Sequence, residues 1–444
     1  MRQLNPANNI LYAAAFFIVM IFIDVFLVML LTITGETSAV KYLLYSSEFI
    51  ILFIGMYLLF KPIFTRQEIP ELPAFVTIYV VYIILMCLRS IMYADIYNVL
   101  RDSRKMLAPV PPLVIGFYFA FYHRENLNVY INRLIKLLTV FTIIGLVEWV
   151  WWYIAPQSLN LFYSRFFRVG LYYHQIKYIS DATDLGLLTS ALRPEGFIIP
   201  AITRRLTGLY LEPFSAGFNA ALAVALVWYK RLAGSAKNRY DALIIITNVT
   251  AVLLTTSRSA YLMLAIITVV YMMSQKRHLS ILIWGLILFI FVILYYNNIA
   301  DVLSTLDWSG HTNPISLFIE HFLSFNNIIG AGLGAMERNS IYTDCGYGAI
   351  YGQLGIFGIA GILIFYLGIG GKITASPENR FFITCITVST FALLFFAGYP
   401  FGYKTFGLIH LCLGALMGGS LSCVRQYDGA YGFATTSLNG EAYA

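Results

Sequence analysis

Long apolar runs recur along the whole chain, and they constrain its fold more than any other feature of the sequence. Several reach about 20 residues, the length that a helix needs to cross the hydrocarbon core of a bilayer. The runs are continuous and do not alternate with polar residues, which favours helices over a transmembrane barrel. Only 11% of the 444 residues are charged, against about a quarter in soluble domains. The sequence therefore predicts an all-α polytopic membrane protein.

We place about twelve transmembrane helices in one domain that covers residues 1–425. The seventh and eighth are separated at Arg258, because a single run over 242–273 is too long for an ordinary span and would bury Arg258 at its middle. A hairpin with Arg258 at its tip is the better interpretation. The predicted helices are 10–33, 42–60, 73–93, 106–122, 134–155, 213–229, 242–256, 259–273, 279–297, 345–369, 381–397 and 405–421.

The distribution of basic residues orients the predicted helices. Short loops assigned to the cytoplasm hold more Lys and Arg than short loops on the other side, as the positive-inside rule requires. Both termini then face the cytoplasm. The Gly-, Ala-, Ser- and Thr-rich tail 426–444 is predicted to be disordered, and the first apolar run is interpreted as a retained span because it is too long for a signal-peptide core.

Two long loops, at about 156–212 and 299–344, interrupt the apolar pattern, and the helix count puts both on the extracytoplasmic side. Both contain arginines, although basic residues are usually depleted on the translocated side of a membrane. Arginines retained there indicate an anionic partner at the membrane surface.

The first loop holds the strongest candidate site. Arginine presents a planar set of N–H donors that matches phosphate oxygens and stays charged. A proline is favoured as the first residue of a helix, which would place the preceding glutamate at a helix N-terminus. The alternative is an interfacial stretch whose arginines meet lipid phosphates. The residues concerned are Arg193, Arg204, Arg205, Gly208, Tyr210, Glu212 and Pro213.

Further candidates follow along the chain. Arg258 lies between two apolar helices, where arginine is costly unless it faces an interface or a polar cavity; snorkelling toward headgroups is the alternative. In the second loop, His311 can act as a base or as a phosphate partner near neutral pH, although a lone loop histidine is more often a solvated side chain. Tyr342 and Asp344 precede the tenth helix on the side where they would line a cavity.

The second loop also contains the run Gly330-x-Gly332-x-Gly334. It does not follow a predicted strand in a βαβ unit, so it is not a dinucleotide-binding fingerprint. Close backbone packing at a membrane re-entry is predicted instead. The sequence contains no metal-ligand spacing, P-loop or hydrolase motif. We therefore expect no cofactor, no metal and no nucleic-acid partner.

Taken in order, these motifs resemble the O-antigen polymerase and O-antigen ligase superfamily of bacterial inner membranes. The resemblance covers about 190–365, and its motifs are Arg205-x-x-Gly208, Glu212-Pro213, Thr256-Ser257-Arg258, Ser309-Gly310-His311, Ile329-Gly330-x-Gly332-x-Gly334 and Tyr351-Gly352-Gln353-Leu354-Gly355-Ile356-x-Gly358.

The resemblance implies a GT-C-like, metal-independent, inverting glycosyltransferase. Its donor would be an undecaprenyl-diphosphate-linked glycan on the periplasmic side of the bacterial inner (cytoplasmic) membrane. A chain-length-regulating membrane protein is a further partner that the resemblance implies.

The resemblance also assigns roles to residues. His311 stands where many members have an arginine, so its role as base or as phosphate partner stays open, and Glu212 is the second candidate base. The cavity would be lined by Tyr210, Tyr342 and Asp344. The diphosphate would be neutralised by Arg205, Arg258, Arg204 and Arg193.

Two alternatives stay open. A polymerase joins lipid-linked repeats, whereas a ligase transfers glycan to lipid A core or to protein; the Gly310-His311 version of the second loop favours an exopolysaccharide polymerase. Outside the superfamily, a proton-coupled transporter or a flippase would use the intramembrane acids Asp24, Glu48 and Glu148. These acids are scattered singly, and charge pairing inside the bundle explains them equally well.

Overall fold

The computed structural model is all-helical, without strands, in the residues that it describes. The described residues are 52–55, 57, 73–92, 94–122, 127–155, 158–159, 205–207, 210, 213–234, 239–275, 328–334, 346–373, 376–394 and 406–420. The helices are α1 (Ala74–Ile91), α2 (Ile96–Leu107), α3 (Val110–Tyr122), α4 (Leu127–Ile154), α5 (Pro213–Leu232), α6 (Tyr240–Leu254), α7 (Arg258–Ser274), α8 (Gly346–Lys372), α9 (Pro377–Leu394) and α10 (Phe406–Ser420). By length and composition, α1, α4 and α8 could each cross a membrane.

Most of the predicted helices within these ranges agree with the observed ones to within a few residues. The predicted hairpin is confirmed, since α6 ends at Leu254 and α7 begins at Arg258, and Pro213 is the first residue of α5 as expected. The helix predicted at 106–122 instead begins at Val110, and the helix predicted at 134–155 begins already at Leu127. The helices predicted at 10–33 and 279–297, and most of 42–60, lie outside the described residues.

Helix α5 lies at the centre of the described bundle and packs against α4, α6, α7 and α9. All of its residues from Ser215 to Val227 are buried. A helix that is apolar on every side needs neighbours on every side. Its many alanines allow those neighbours to approach closely.

The helices end at two common levels. Near the end of α5, Tyr229 lines a small cleft together with Leu127 at the start of α4. Near the start of α5, Gly217 lies against Thr255 at the end of α6. Both α4 and α6 are therefore antiparallel to α5. We call the level at which α4 and α6 end, and α5 and α7 begin, the hairpin end.

Glycines let α3 and α10 pack backbone against backbone. A Cβ atom on Gly414 would collide with the carbonyl oxygen of Leu113, and one on Gly418 would collide with that of Phe117. Small residues four positions apart are typical of membrane helices in close contact.

Gly414→Ala is therefore expected to destabilise the protein by about 1–3 kcal/mol, because the added methyl group meets backbone and forces the helices apart. Thermal unfolding of the purified protein measures the effect. Gly419→Ala is the matched control, because its Cβ would meet Leu127 only at an ordinary contact distance of 3.6 Å. Equal melting temperatures for the two variants would contradict this packing.

Helices α2 and α3 follow one another as a discontinuous pair, the α2–α3 pair. The Tyr79 hydroxyl of α1 donates to the carbonyl of Met106, at the end of α2, over 2.8 Å. Tyr79 lies about 18 Å before the end of α1 at Ile91, at a rise of about 1.5 Å per residue. Helix α2 therefore runs back alongside a candidate membrane span. The 13 residues of α3 are too few to cross alone, since about 20 are needed.

Helix α2 was not predicted from the sequence. Its run Arg101-Asp102-Ser103-Arg104-Lys105 falls between the predicted helices 73–93 and 106–122. In the structure Asp102, Ser103 and Arg104 are buried. Polar residues thus enter the bundle on the buried face of α2, whereas Ile96 and Leu100 of the same helix are exposed.

Candidate functional site

The first candidate site is the turn between α6 and α7 with Arg205 bound to it, and we call it the arginine hairpin (Arg205, Thr255, Thr256, Ser257 and Arg258). The Arg205 Nε atom donates to Oγ1 of Thr256 over 2.8 Å, and its Nη2 atom donates to the Thr256 carbonyl over 3.1 Å. The backbone N–H of Leu206 donates to the carbonyl of Leu254 over 2.9 Å. The first long loop is therefore docked on the tip of the hairpin, two residues from Arg258.

The turn itself has an unusual backbone. Thr256 has a φ of 45°, in the left-handed region that β-branched residues rarely adopt. The Ser257 side chain caps α7 by accepting from the N–H of Ala260 over 3.4 Å. Strained backbone of this kind is maintained only where surrounding contacts hold it, and it is common at ligand sites. Here the two bonds from Arg205 supply such contacts.

The arginine hairpin is suited to an anion. Arg258 is the first residue of α7, and the N-terminus of a helix carries a partial positive charge and outward-facing N–H groups. Gly217 allows α5 to approach this turn, since a Cβ there would meet the side chains of Thr255 and Ala260. Two arginines and a helix N-terminus thus converge on one short segment.

Burial strengthens these interactions. Arg205 is only 6% exposed, and its guanidinium lies 5.6 Å from the centre of the Phe214 ring, within range of a cation–π interaction. Tyr210 is buried and packs edge-on against Phe141 of α4, with 6.2 Å between ring centres. Desolvation raises the pKa of Tyr210 well above its ordinary value, so its hydroxyl stays protonated.

The arginine hairpin lies just below the aromatic-rich end of α4. Helices α6 and α7 have 15 and 17 residues, fewer than the roughly 20 of a full crossing. Asn248 of α6 bonds Thr142 of α4 over 2.8 Å. Helices α4 and α6 are parallel, so distances along them can be compared. Buried Glu148 and Leu254 each lie about 9 Å from that contact along the helix axis, toward the hairpin end. Above them, the aromatic-rich end of α4 (149–153) is typical of a membrane interface.

The second candidate site is the place where residues 328–334 contact α1, α2 and the break in α8. We call it the broken-helix junction (Ser90, Asp102, 328–334, Gln353 and Gly355). Helix α8 is broken at Gly355, whose φ is 68° and ψ is −162°. In an unbroken helix the N–H of Ile356 would donate to the Gly352 carbonyl. Instead it donates to Ile328 over 3.1 Å, and Gly352 accepts from Ala331 over 2.8 Å. Two bonds to the loop replace one within the helix, so the backbone stays satisfied inside the bundle.

The break redirects the first part of α8. The Tyr347 hydroxyl donates to the Phe391 carbonyl over 3.1 Å, and the Tyr366 ring packs against the Phe391 ring with 5.9 Å between centres. In a straight helix Tyr347 and Tyr366 would be about 28 Å apart. The helix predicted at 345–369 therefore consists of two segments that run in different directions.

The close backbone packing predicted for the glycine run is confirmed. Gly330, Gly332 and Gly334 have φ values of 79°, 98° and 80°, which other residues adopt only with strain. A Cβ on Gly330 would lie 2.5 Å from the carbonyl oxygen of Gln353. The glycine motif of the second loop thus lies directly on the Tyr351–Gly358 motif.

Asp102 is the central polar residue of the broken-helix junction. Its Oδ2 atom accepts from the N–H of Gly334 over 3.2 Å and from Nε2 of Gln353 over 3.0 Å, while Oδ1 accepts from Nε of Arg101 over 3.1 Å. It is 2% exposed. Sequence reasoning missed this residue; the available signal was the charged run just before the apolar residues of α3.

Both candidate sites lie toward the hairpin end. Helix α9 begins beside the end of α5, where Tyr229 donates to Asn379 over 3.0 Å, and α8 ends just before α9 begins. The start of α1 packs beside the end of α8, with Phe75 against Gly368. The end of α1, and with it Ser90 and the loop 328–334, therefore lies at the level of the hairpin end.

The structure describes three of the site residues predicted from the sequence: Arg205, Arg258 and Tyr210. It brings Arg205 and Arg258 together at the arginine hairpin, whereas Tyr210 packs against Phe141 of α4. The residues outside the described ranges are Arg193, Arg204, Glu212, His311, Tyr342 and Asp344, together with the intramembrane acids Asp24 and Glu48.

Compared with family models, with curated proteins and with solved structures, the chain has no match. Within the described ranges, no group of three or more His, Cys, Asp or Glu side chains could hold a metal ion. The arginine hairpin brings two arginines and a helix N-terminus together, an arrangement suited to binding an anion.

Proposed function

We propose that the chain is an inner-membrane polysaccharide polymerase of the O-antigen polymerase type. In this proposal it is an inverting, metal-independent, GT-C-like glycosyltransferase that joins undecaprenyl-diphosphate-linked repeat units on the periplasmic side. The observation that carries the proposal is the docking of Arg205 on Thr256, beside Arg258 and the N-terminus of α7. A diphosphate on a lipid tail presents its charge at the depth of this site.

The proposed reaction breaks one bond and forms another. A hydroxyl of the acceptor glycan attacks the anomeric carbon of the donor, and the bond from that carbon to the diphosphate oxygen breaks. Negative charge then develops on the leaving diphosphate. Donors fixed in a poorly solvated site stabilise such charge without reorganisation, and this is the role we assign to Arg205 and Arg258. The proton of the attacking hydroxyl passes to a base, for which His311 and Glu212 are the candidates.

The proposed topology has about twelve spans, two large extracytoplasmic loops and both termini in the cytoplasm. One structural relationship supports it: the docked end of the first loop and the described part of the second loop lie at the same end of the bundle. In the proposal Arg193 and Arg204 add positive charge from the first loop, while Tyr342 and Asp344 line the cavity from the second.

Purified protein in nanodiscs, given only an undecaprenyl-diphosphate-linked repeat unit and a metal chelator, tests the proposal. A ladder of longer lipid-linked glycans is the expected product. No ladder, but transfer after lipid A core is added, would replace the polymerase by a ligase. Failure of both reactions with the native repeat unit would overturn the transferase proposal.

A carrier is the second candidate, and the broken-helix junction favours it. Discontinuous helices that meet at a buried charge are typical of transporter substrate sites, and the α2–α3 pair meets broken α8 at Asp102. A carrier predicts proton-dependent uptake into proteoliposomes that Asp102→Asn abolishes. The transferase predicts glycan synthesis in detergent, where no gradient exists.

A further inference from the structure

We propose that Asp102 is a positioning residue for glycan transfer: it holds residues 328–334 against the break in α8 and so sets where the second long loop leaves the bundle. This inference rests on the proposed function for its link to transfer. Its structural part, that the Asp102 carboxylate anchors the glycine loop, stands on described contacts alone.

Four consecutive N–H groups of the loop each have a fixed acceptor. Ala331 and Gly332 donate to carbonyls of α8 over 2.8 and 3.0 Å. Leu333 donates to the Ser90 hydroxyl over 2.7 Å, and Gly334 donates to Asp102 over 3.2 Å. The loop is therefore bound to α1, α2 and α8 at once.

Asp102 is the charged member of this acceptor set. Hydrogen bonds to an ionised acceptor are about twice as strong as neutral ones. The same carboxylate oxygen also binds Gln353, whose backbone carbonyl receives the N–H of Gly332. Asp102 thus fixes both the loop and the helical segment on which the loop rests.

The ion pair explains how a carboxylate is tolerated at this position. A buried charge is costly unless it is paired and hydrogen-bonded. Arg101 supplies the opposite charge from the next position of α2 while its side chain stays 22% exposed. Removal of the carboxylate would therefore release the loop and leave the Arg101 charge without this partner.

Hydrogen–deuterium exchange of the 331–334 amides tests the anchor without any assay of activity. In Asp102→Ala we expect exchange at these amides to be about tenfold faster or more, because local opening becomes easier. Asp95→Asn is the matched control: Asp95 immediately precedes the same helix and is exposed, and its carboxylate caps that helix by accepting from the N–H of Asn98 over 3.4 Å, which an asparagine side chain can also do. Unchanged exchange in Asp102→Ala would overturn the inference, whatever the protein catalyses.

Glycan transfer tests the positioning role. We expect Asp102→Ala to lower kcat about 10- to 100-fold with the donor KM within about twofold, because misplacement by about 1 Å has an effect of this size. A change in KM alone, or no change in turnover, would overturn it. If the wild-type protein made no polymer, the proposed function would be contradicted. The exchange measurement would still test whether Asp102 anchors the glycine loop.

Asp102→Asn keeps the test decisive if the alanine variant does not fold. Asparagine can place its side-chain oxygen where Asp102 has Oδ2, so that it still accepts from Gly334 and from Gln353. Its NH2 group then replaces the oxygen that accepts from Arg101. Slow exchange and most of the turnover are therefore expected to return. An asparagine variant as impaired as Asp102→Ala would contradict anchoring through hydrogen bonds.

Discussion

Arg205→Ala is expected to slow glycan polymerisation about 100- to 1000-fold, the usual cost of removing one donor that stabilises developing negative charge. Arg205 is the residue through which the first loop reaches the hairpin tip, and its two bonds end on Thr256. Arg205→Lys keeps the charge but loses the two-point geometry, so we expect an intermediate rate. Initial rates of ladder formation at equal protein amounts measure both.

The matched control is Arg239→Ala. Arg239 immediately precedes α6, at the opposite end of the α6–α7 hairpin. It is exposed, and its Nη2 atom donates to the Tyr240 hydroxyl over 2.8 Å. Its loss is expected to leave the rate unchanged. If Arg239→Ala and Arg205→Ala slowed polymerisation equally, or if neither did, the arginine hairpin would not be the diphosphate site.

Gly355→Ala is expected to have the largest effect on stability, about 3 kcal/mol or more, because two costs add. A methyl group at this position would collide with the Ile328 carbonyl, and overpacking costs about 1–3 kcal/mol. The backbone of Gly355, with φ 68° and ψ −162°, lies in a region that is essentially restricted to glycine, which adds about 1–3 kcal/mol for a residue with a Cβ. A low yield of monodisperse protein and a lower melting temperature would report the loss.

Gly371→Ala is the control within the same helix. A Cβ at Gly371 would meet nothing within 4 Å, and alanine is favoured over glycine in a helix by about 1 kcal/mol. This variant is expected to be as stable as the wild type or slightly more stable. A Gly355→Ala protein that melts at the wild-type temperature would show that α8 does not need its break.

The helices and the arginine hairpin were predictable because their causes are local. A long apolar run such as Ala74–Ile91 has no stable state in a bilayer except a helix, since every backbone group must be bonded internally. Arg258 had to lie at a turn because an arginine in the middle of a span is costly. Both inferences need only a few neighbouring residues.

The broken-helix junction was not predictable because its causes lie far apart in the chain. Gly355 sits in an apolar, glycine-rich run that is equally compatible with a straight helix. The break is stable only because the loop at 328–334 supplies the missing backbone partners. Likewise, the charged residues of α2 indicate a loop until Gly334 and Gln353 are seen to donate to Asp102.

The docking of Arg205 on Thr256 lies between these two cases. Sequence reasoning selected both segments for an anionic ligand and placed them on one side of the membrane. It gave no reason for the contact itself, because hydrogen bonds between a loop and a distant turn leave no periodic pattern in a sequence.

Binding of undecaprenyl diphosphate to the purified protein in nanodiscs tests the central claim most directly, since it needs no knowledge of the sugar. We expect undecaprenyl diphosphate to bind at least about 100-fold more tightly than undecaprenol, a gap of about 2.7 kcal/mol, and we expect Arg205→Ala to remove most of that preference while Arg239→Ala keeps it. Equal affinity of the wild-type protein for the diphosphate and the alcohol would contradict a diphosphate site at the arginine hairpin.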